Sequence, residues 1–296
     1  METKKWESLL TAAELGSFTR AARRLGATQS GLTHMMNALE KETGFPLLLR
    51  DRSGVRLTAA GERLLPAIRE LIESAERLEQ QIAAQAGRRR GSIRVAAYSS
   101  ICMHWLPTIV QQFRWAWPDV SVDIRMGSVQ EVYRWLQEGT VDLSFASRQS
   151  QWRLDWVPLW DDPLMAILPP DYPARGRSSF PVPEFGGKEF LMPSLGFDLD
   201  ILRVFESQNI RPDIRSNTAV EDAAILSMVE HGLGVSILSQ LVLQGRQDNV
   251  QVLPLDPPAW RHIGVAIPSR EEAAPVIQEF IAYSTRIVRA LHTVQT

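Results

Sequence analysis

Thr28-Gln29-Ser30-Gly31-Leu32-Thr33-His34-Met35-Met36-Asn37-Ala38-Leu39 places two different faces on one short helix. Leu32, Met35, Met36 and Leu39 recur at i, i+3, i+4 and i+7 and form an apolar stripe. Ser30, Thr33, His34 and Asn37 repeat the same spacing on the other side. A merely solvated face usually carries Lys and Glu. This one offers uncharged donors and acceptors near a helix N-terminus, which suits reading base edges in a major groove. An ordinary amphipathic helix is the alternative that this stretch alone leaves open.

The flanking residues narrow the choice. Phe18 through Leu25 reads as a short helix ended by Gly26, with Ala21, Ala22 and Leu25 turned inward. The small alanines allow a second helix to come close, and Thr28 stands at its N-cap position. A helix, a tight turn with glycine and a second helix make a helix-turn-helix. Trp6, Leu9, Leu10 and Ala13 mark a supporting helix before it. Residues 47–58 read as a β-hairpin turning at Ser53-Gly54, a wing that carries Arg50, Arg52 and Arg56. A solvated edge hairpin is the competing reading of those arginines.

A chain of 296 residues holds two or three compact units. With 45% hydrophobic and 22% charged residues, it has the composition of a soluble globular protein. The net charge of −2 conceals an asymmetry. Residues 1–60 hold nine Lys and Arg against six Asp and Glu, whereas residues 91–296 hold 17 against 23. A basic first unit on an acidic remainder implies that only the first meets a polyanion. Cys102 is the single cysteine, so an internal disulfide and a multi-cysteine zinc site are both excluded. The N-terminus lacks a hydrophobic signal core and no apolar run is long enough to span a bilayer, so the expected location is the cytoplasm, with no membrane partner.

From Ala59 to about residue 86, Leu64, Ile68, Leu71, Ala75, Leu78 and Ile82 alternate spacings of four and three. A repeat of about 3.5 residues is the signature of helix-on-helix pairing. Such a helix would be roughly 42 Å long, too long to fold into a small core, and its expected partner is the same helix of another subunit. Pro66 removes a backbone hydrogen bond within it and predicts a kink. Gly87-Arg88-Arg89-Arg90-Gly91 reads as a hinge. Beyond it strands and helices alternate, which predicts an α/β architecture with a parallel sheet. The strands expected are 93–98, 120–126, 141–146, 156–160 and 164–168, then 189–192, 213–217, 234–238 and 263–267. The helices expected between them are 105–115, 129–137, 199–208, 220–231 and 274–291. Two α/β halves joined by crossover segments leave a cleft at the strand C-termini, where open α/β sheets bind ligands.

These residues together resemble the LysR-type transcriptional regulators over essentially the whole chain. The resemblance is carried by Phe18 through Thr33, Ala38-Leu39-Glu40, Gly44 through Arg50, and Leu57-Thr58-Ala59-Ala60-Gly61. Weaker echoes are Pro118 through Gly127, Asp142-Leu143, and Val229 through Ile237. The resemblance implies a multidomain α+β and α/β chain. Its parts are a winged helix-turn-helix at 1–58, a linker and dimerisation helix with hinge at 59–91, and an effector domain at 92–296. That last domain would resemble periplasmic binding proteins, with one lobe of 92–162 and 264–296 and a second of 163–263. It implies binding to an imperfect palindrome of double-stranded DNA as a homodimer or homotetramer, control by a small molecule, and RNA polymerase as a further partner. Base contacts are implied for Gln29, Thr33 and His34, and phosphate contacts for Ser30, Arg50, Arg52 and Arg56. Thr28 and Asn37 complete the candidate DNA-binding set. His34 stands where the family commonly has arginine, so an imidazole replaces a guanidinium that would clamp guanine bidentately.

The effector is expected to meet the loops after the strands. Ser99 and Ser100 follow the first strand, where hydroxyls and free amides suit a carboxylate or an aromatic acid. Gly127, Ser128 and Val129 follow the second, and Ala146 and Ser147 the third. Phe197, Thr218 and Ala219 hold corresponding positions in the second lobe, and Cys102 lies beside Ser100. Serines that simply cap helices, and a cysteine that simply packs, are the plain alternatives. Among the nine tryptophans, Trp105 is the one placed to stack on an aromatic effector. No nucleotide-binding, nucleophile-elbow or zinc-protease motif is present and the five histidines lack metal-ligand spacing, so neither enzymatic activity nor a cofactor is expected. Two other readings stay open: a C-terminal domain that only oligomerises, and a solute-binding or enzymatic α/β protein with an appended interaction domain.

Overall fold

The computed structural model describes residues 3–51, 54–85, 91–149, 151–174, 176–193, 198–214, 222–246 and 249–293. The chain divides into two compact units, Met1–Arg88 and Arg89–Thr296.

The first unit contains α1 (Thr3–Leu15), α2 (Phe18–Arg24), α3 (Gln29–Thr43), the hairpin β1 (Leu48–Asp51) and β2 (Gly54–Leu57), and α4 (Ala59–Gln85). Local chemistry sets the ends of α3. The Thr28 hydroxyl accepts from the Gly31 amide at 3.1 Å, and Gly44 closes the helix in the left-handed conformation. Leu32, Met36 and Leu39 are buried, and Met35 packs at the edge of the same core. Met36 and Leu39 meet Leu9, Leu47, Leu48 and Ile68, while Leu32 meets Ala12, Ala21 and Ala22. The alanines bring α2 close, as their size requires.

Gly54 pairs with Asp51 as the first residue of β2, and Ser53 of the expected Ser53-Gly54 turn lies outside the described residues. The Gly54 φ of +125° favours glycine, and a Cβ there would come within 2.6 Å of the Gly16 carbonyl oxygen. That carbonyl accepts from the Val55 amide at 3.1 Å, fixing the hairpin to the α1–α2 turn. Glu40 fixes it to α3. One carboxylate oxygen accepts from the Leu47 and Leu48 amides at 2.8 and 2.9 Å, and the other accepts from Arg50 at 3.0 Å. α4 runs without a break through Pro66. Leu64, Ile68 and Ile72 pack on the core of this unit, whereas Leu71, Leu78 and Ile82 are exposed.

The second unit begins with β3 (Gly91–Ala97), α5 (Ser99–His104), α6 (Leu106–Ala116), β4 (Val120–Met126), α7 (Val129–Gln137) and β5 (Leu143–Ser147). Strand β3 runs parallel to both β4 and β5. Then follow β6 (Asp155–Leu168), β7 (Phe180–Pro181), α8 (Asp198–Ser207), α9 (Asp222–Glu230) and β8 (Ser236–Ser239). The unit ends with α10 (Gln240–Leu243), β9 (Gln251–Asp256), β10 (Trp260–Ile267) and α11 (Pro275–Thr293).

The sheet is mixed rather than parallel. β10 lies antiparallel between β5 and β6, and β6 continues antiparallel to both β8 and β9. The two strands expected at 156–160 and 164–168 are one strand, and with β10 it forms the crossover between two lobes. Residues 189–192 make only isolated bridges, Glu189 to Asp213 and Phe190 to Val235, in place of a full strand. Each lobe has its own core, one around Phe113, Phe145 and Phe280, the other around Phe180, Phe185, Phe190 and Phe205. No helix among the described residues is long and apolar enough to cross a membrane.

Replacing Glu40 by Ala leaves two inward-facing amides without their acceptor and releases Arg50. The expected loss is at least about 2 kcal/mol for the first unit, read from urea unfolding followed by the fluorescence of Trp6 in a variant whose other tryptophans are replaced. An unchanged midpoint would show that the wing is held by other contacts.

Candidate functional site

On α3 the apolar stripe is spent on the core and the polar stripe is left outside. Gln29, Ser30, His34 and Asn37 are exposed and Thr33 is half-buried. Thr19 of α2 donates to Gln29 Oε1 at 3.1 Å, which orients the glutamine and leaves its Nε2 donors uncommitted to that contact. The Thr33 hydroxyl donates to the Gln29 carbonyl at 2.9 Å, and Thr28 and Ser30 share a hydrogen bond of 3.3 Å. This face can meet base edges with donors and acceptors that do not have to repel or neutralise phosphate. The wing arginines differ from one another. Arg50 is held by Glu40 and lies over the Phe18 ring at 5.0 Å. Arg56 pairs with Asp51 at 3.2 Å with its side chain largely exposed. Arg52 lies outside the described residues.

In the second unit the expected loops divide by role. Ser128 is committed to α7. Its hydroxyl accepts from the Glu131 amide while the Glu131 carboxylate accepts from the Ser128 amide at 2.9 Å, a capping box. Those bonds, the backbone one foremost, hold the Glu131 carboxyl below its usual range. At Gly127 a Cβ would strike the Trp135 ring at 2.5 Å, so close packing accounts for the glycine. Val129 and Ala146 are core residues. Cys102 packs with its Sγ 3.9 Å from the Ala97 carbonyl, and burial pushes its thiol up to about 11. Trp105 is only 1% exposed and meets His292 edge-on at 5.7 Å, a core residue rather than a stacking platform. Phe197, Thr218 and Ala219 lie outside the described residues.

Ser99, Ser100 and Ser147 remain near the cleft. Ser99 is half-buried, and Ser100 and Ser147 are buried. Ser147 lies beside Asp200 of α8. Burial raises the Asp200 carboxyl above its usual range even with Arg261 and Arg203 nearby. The Tyr98 phenol beside them is raised by burial as well. Arg203 of α8 donates to Gln149 Oε1 at 2.6 Å and to Asp200 at 3.1 Å, and Gln149 donates to Ser147 Oγ at 3.0 Å. These bonds join the lobe of β5 to the lobe of α8.

The strongest polar feature joins the crossover strands. Asp162 of β6 and Arg261 of β10 are register partners, both almost fully buried. Arg261 donates to Asp162 Oδ2 through Nε at 3.2 Å and Nη2 at 2.7 Å, and through Nη2 to Ser100 Oγ at 3.1 Å. Asp162 Oδ1 accepts from the Leu241 amide at 2.9 Å. Sequence reasoning missed Asp162, Arg261, Asp200 and Arg203. The available signal was Asp161-Asp162-Pro163, which reads as a break between strands, whereas the charge of Asp162 is satisfied by a residue far along the chain. Among the described residues no group of three or more His, Cys, Asp or Glu is placed to hold a metal.

Known proteins match this chain along its length. The family model described as the bacterial regulatory helix-turn-helix protein, lysR family, matches residues 3–62. That of the LysR substrate binding domain matches residues 86–288. The chain is 27% identical over 283 residues to YvbU of Bacillus subtilis, an uncharacterized HTH-type transcriptional regulator, covering 94% of this chain and 96% of that one. It is 27% identical over 288 residues to the HTH-type transcriptional regulator MetR of Escherichia coli, covering 95% and 89%. In fold it is similar to a full-length OxyR variant from Pseudomonas aeruginosa, with a TM-score of 0.75 at 23% identity over 97% of each chain. The chain belongs to the LysR family of bacterial transcriptional regulators, with an N-terminal DNA-binding unit and a C-terminal effector-binding domain.

Proposed function

We propose that α3 reads its operator through Gln29, Thr33 and His34, with Thr28, Ser30 and Asn37 beside them and Arg50, Arg52 and Arg56 on or near the wing. The observation that carries this reading is the division of α3 into a buried apolar stripe and an exposed stripe of uncharged polar side chains, with Gln29 held by Thr19. The partner is double-stranded DNA with an imperfect palindrome, because the protein acts as a homodimer or a pair of dimers. Support comes from α4, which leaves Leu71, Leu78 and Ile82 exposed along one side for a second copy. The effector is a small organic acid bound between the lobes near Ser100, Ser147, Asp200 and Arg261, and it acts by changing how the lobes meet. The protein works in the cytoplasm and performs no catalysis.

The double variant Gln29→Ala/Thr33→Ala is expected to fold and to lose operator discrimination, so that specific and random duplexes shift at the same concentration in a gel-shift assay. Residual affinity should fall steeply with salt through counterion release. Operator preference equal to that of the wild type would remove base reading from these residues.

Cys102 has no sensing role in this proposal. A thiol held at about 11 is almost entirely protonated near neutrality, and the thiolate is the nucleophile. Its reaction with a disulfide reagent at pH 8 is expected to be at least about tenfold slower in the native protein than in urea, and to accelerate as pH rises toward 11. Rapid native labelling would reopen a redox role.

A further inference from the structure

A cavity of about 30 Å³ lies where the crossover strands meet α8 and β8. Its polar lining is Arg261, Ser239, Asp200 and Asp222, and its remaining walls are Pro193 and aliphatic side chains. One of the polar groups, Ser239, is a buried donor without an acceptor, and Arg261 has an edge from which no group among the described residues accepts. Ser239 is 4% exposed and its hydroxyl makes no hydrogen bond. Arg261 is 5% exposed. Its Nε and Nη2 are committed to Asp162 and Ser100, and among the described residues nothing accepts from Nη1. An unpaired buried donor costs about 1–3 kcal/mol, and proteins retain few of them without a use.

The opposite charge is present in the same cavity. Asp200 and Asp222 place carboxyl groups on its lining, with Arg203 balancing Asp200 at 3.1 Å and Asp162 balancing Arg261. A guanidinium edge with a hydroxyl is the complement of a carboxylate, and aspartate is the complement of an ammonium group. A dianion such as phosphate would face both aspartates. A simple amine would leave the Arg261 and Ser239 donors unfilled. A volume of about 30 Å³ admits one or two water-sized groups, so only a head group enters and the rest of the ligand lies toward the open cleft.

We infer that this cavity receives the zwitterionic head of an amino acid, its carboxylate on Arg261 Nη1 and Ser239 Oγ and its ammonium toward Asp200 and Asp222. The inference rests on the reading of the cleft as the effector site and gives that effector a chemical class.

The test is a thermal-shift titration of the full-length protein with each proteinogenic amino acid. Propionate, ethylamine, inorganic phosphate and benzoate serve as controls. At least one amino acid is expected to raise the melting temperature saturably, while propionate, ethylamine and phosphate do not. Ser239→Ala breaks no hydrogen bond of the folded protein, so it should keep the unliganded melting temperature and weaken amino-acid binding about fivefold or more. Asp200→Asn, similar in shape, should weaken it comparably. Three results would overturn the inference: no response to any amino acid, an equal response to propionate or phosphate, or wild-type affinity in both variants. Benzoate acting where no amino acid does would also overturn it, yet would leave an effector in the cleft. The two readings therefore fail separately.

Discussion

The buried pair between Asp162 and Arg261 is the contact on which the second unit depends. It lies on the two strands that pass between the lobes, and a cross-strand register of one residue to one residue puts the charges together. Removing two charges from water costs several kcal/mol per ion, repaid only where the geometry is good and the remaining hydrogen bonds are made. Both conditions hold for most of the pair. Asp162 takes the Leu241 amide on one oxygen and the guanidinium on the other. Arg261 reaches Ser100 in the first turn of α5 as well. One ion pair therefore ties the crossover strands to α5 through Ser100 and to α10 through Leu241, whose side chain packs in the core around Phe113. What it leaves over is the Nη1 edge, the edge on which the proposed ligand carboxylate would rest.

The first unit rests on a comparable constraint at smaller scale. Glu40 ends two backbone donors and one arginine on a single carboxylate, and so ties the wing to the helix proposed to read DNA. Arg50 is part of that tie and stacks on Phe18, so its charge serves the fold as well as any phosphate it meets. The exposed polar stripe of α3 has no comparable structural use. His34 and Asn37 stand exposed on it, so substitutions there cost the core nothing.

Much of this was legible in the sequence because it is local. The stripe of Leu32, Met36 and Leu39, the Thr28 cap and the Gly44 stop each depend on neighbours within a turn or two. The crossover was not legible for the opposite reason. Asp161-Asp162-Pro163 resembles a turn, and only Arg261, far along the chain, makes a buried aspartate tolerable inside a strand. Strand β9 was missed because Pro254 argues against a strand until its place beside Met165 of β6 is known. At the candidate site, the serines after the strands could be named, but not their separate roles. Ser128 caps a helix, Ser100 receives Arg261 and Ser147 faces Asp200. The Ser128 cap is local, but the partners of Ser100 and Ser147 lie far along the chain, which no periodicity encodes. The same holds for Ser239, whose hydroxyl stands out only once its lack of a partner is seen.

The coupling between Asp162 and Arg261 is therefore the quantity to measure. A double-mutant cycle of Asp162→Asn and Arg261→Gln in the full chain, read from urea unfolding of the effector-domain transition, gives it directly. Each single variant strands a buried charge, so the cycle is predicted to give a coupling of at least about 2 kcal/mol, with the double variant less damaged than the sum of the singles. Additive effects within about 0.5 kcal/mol would contradict the pair as the contact on which the second unit depends, since the two residues would then be no more than neighbours.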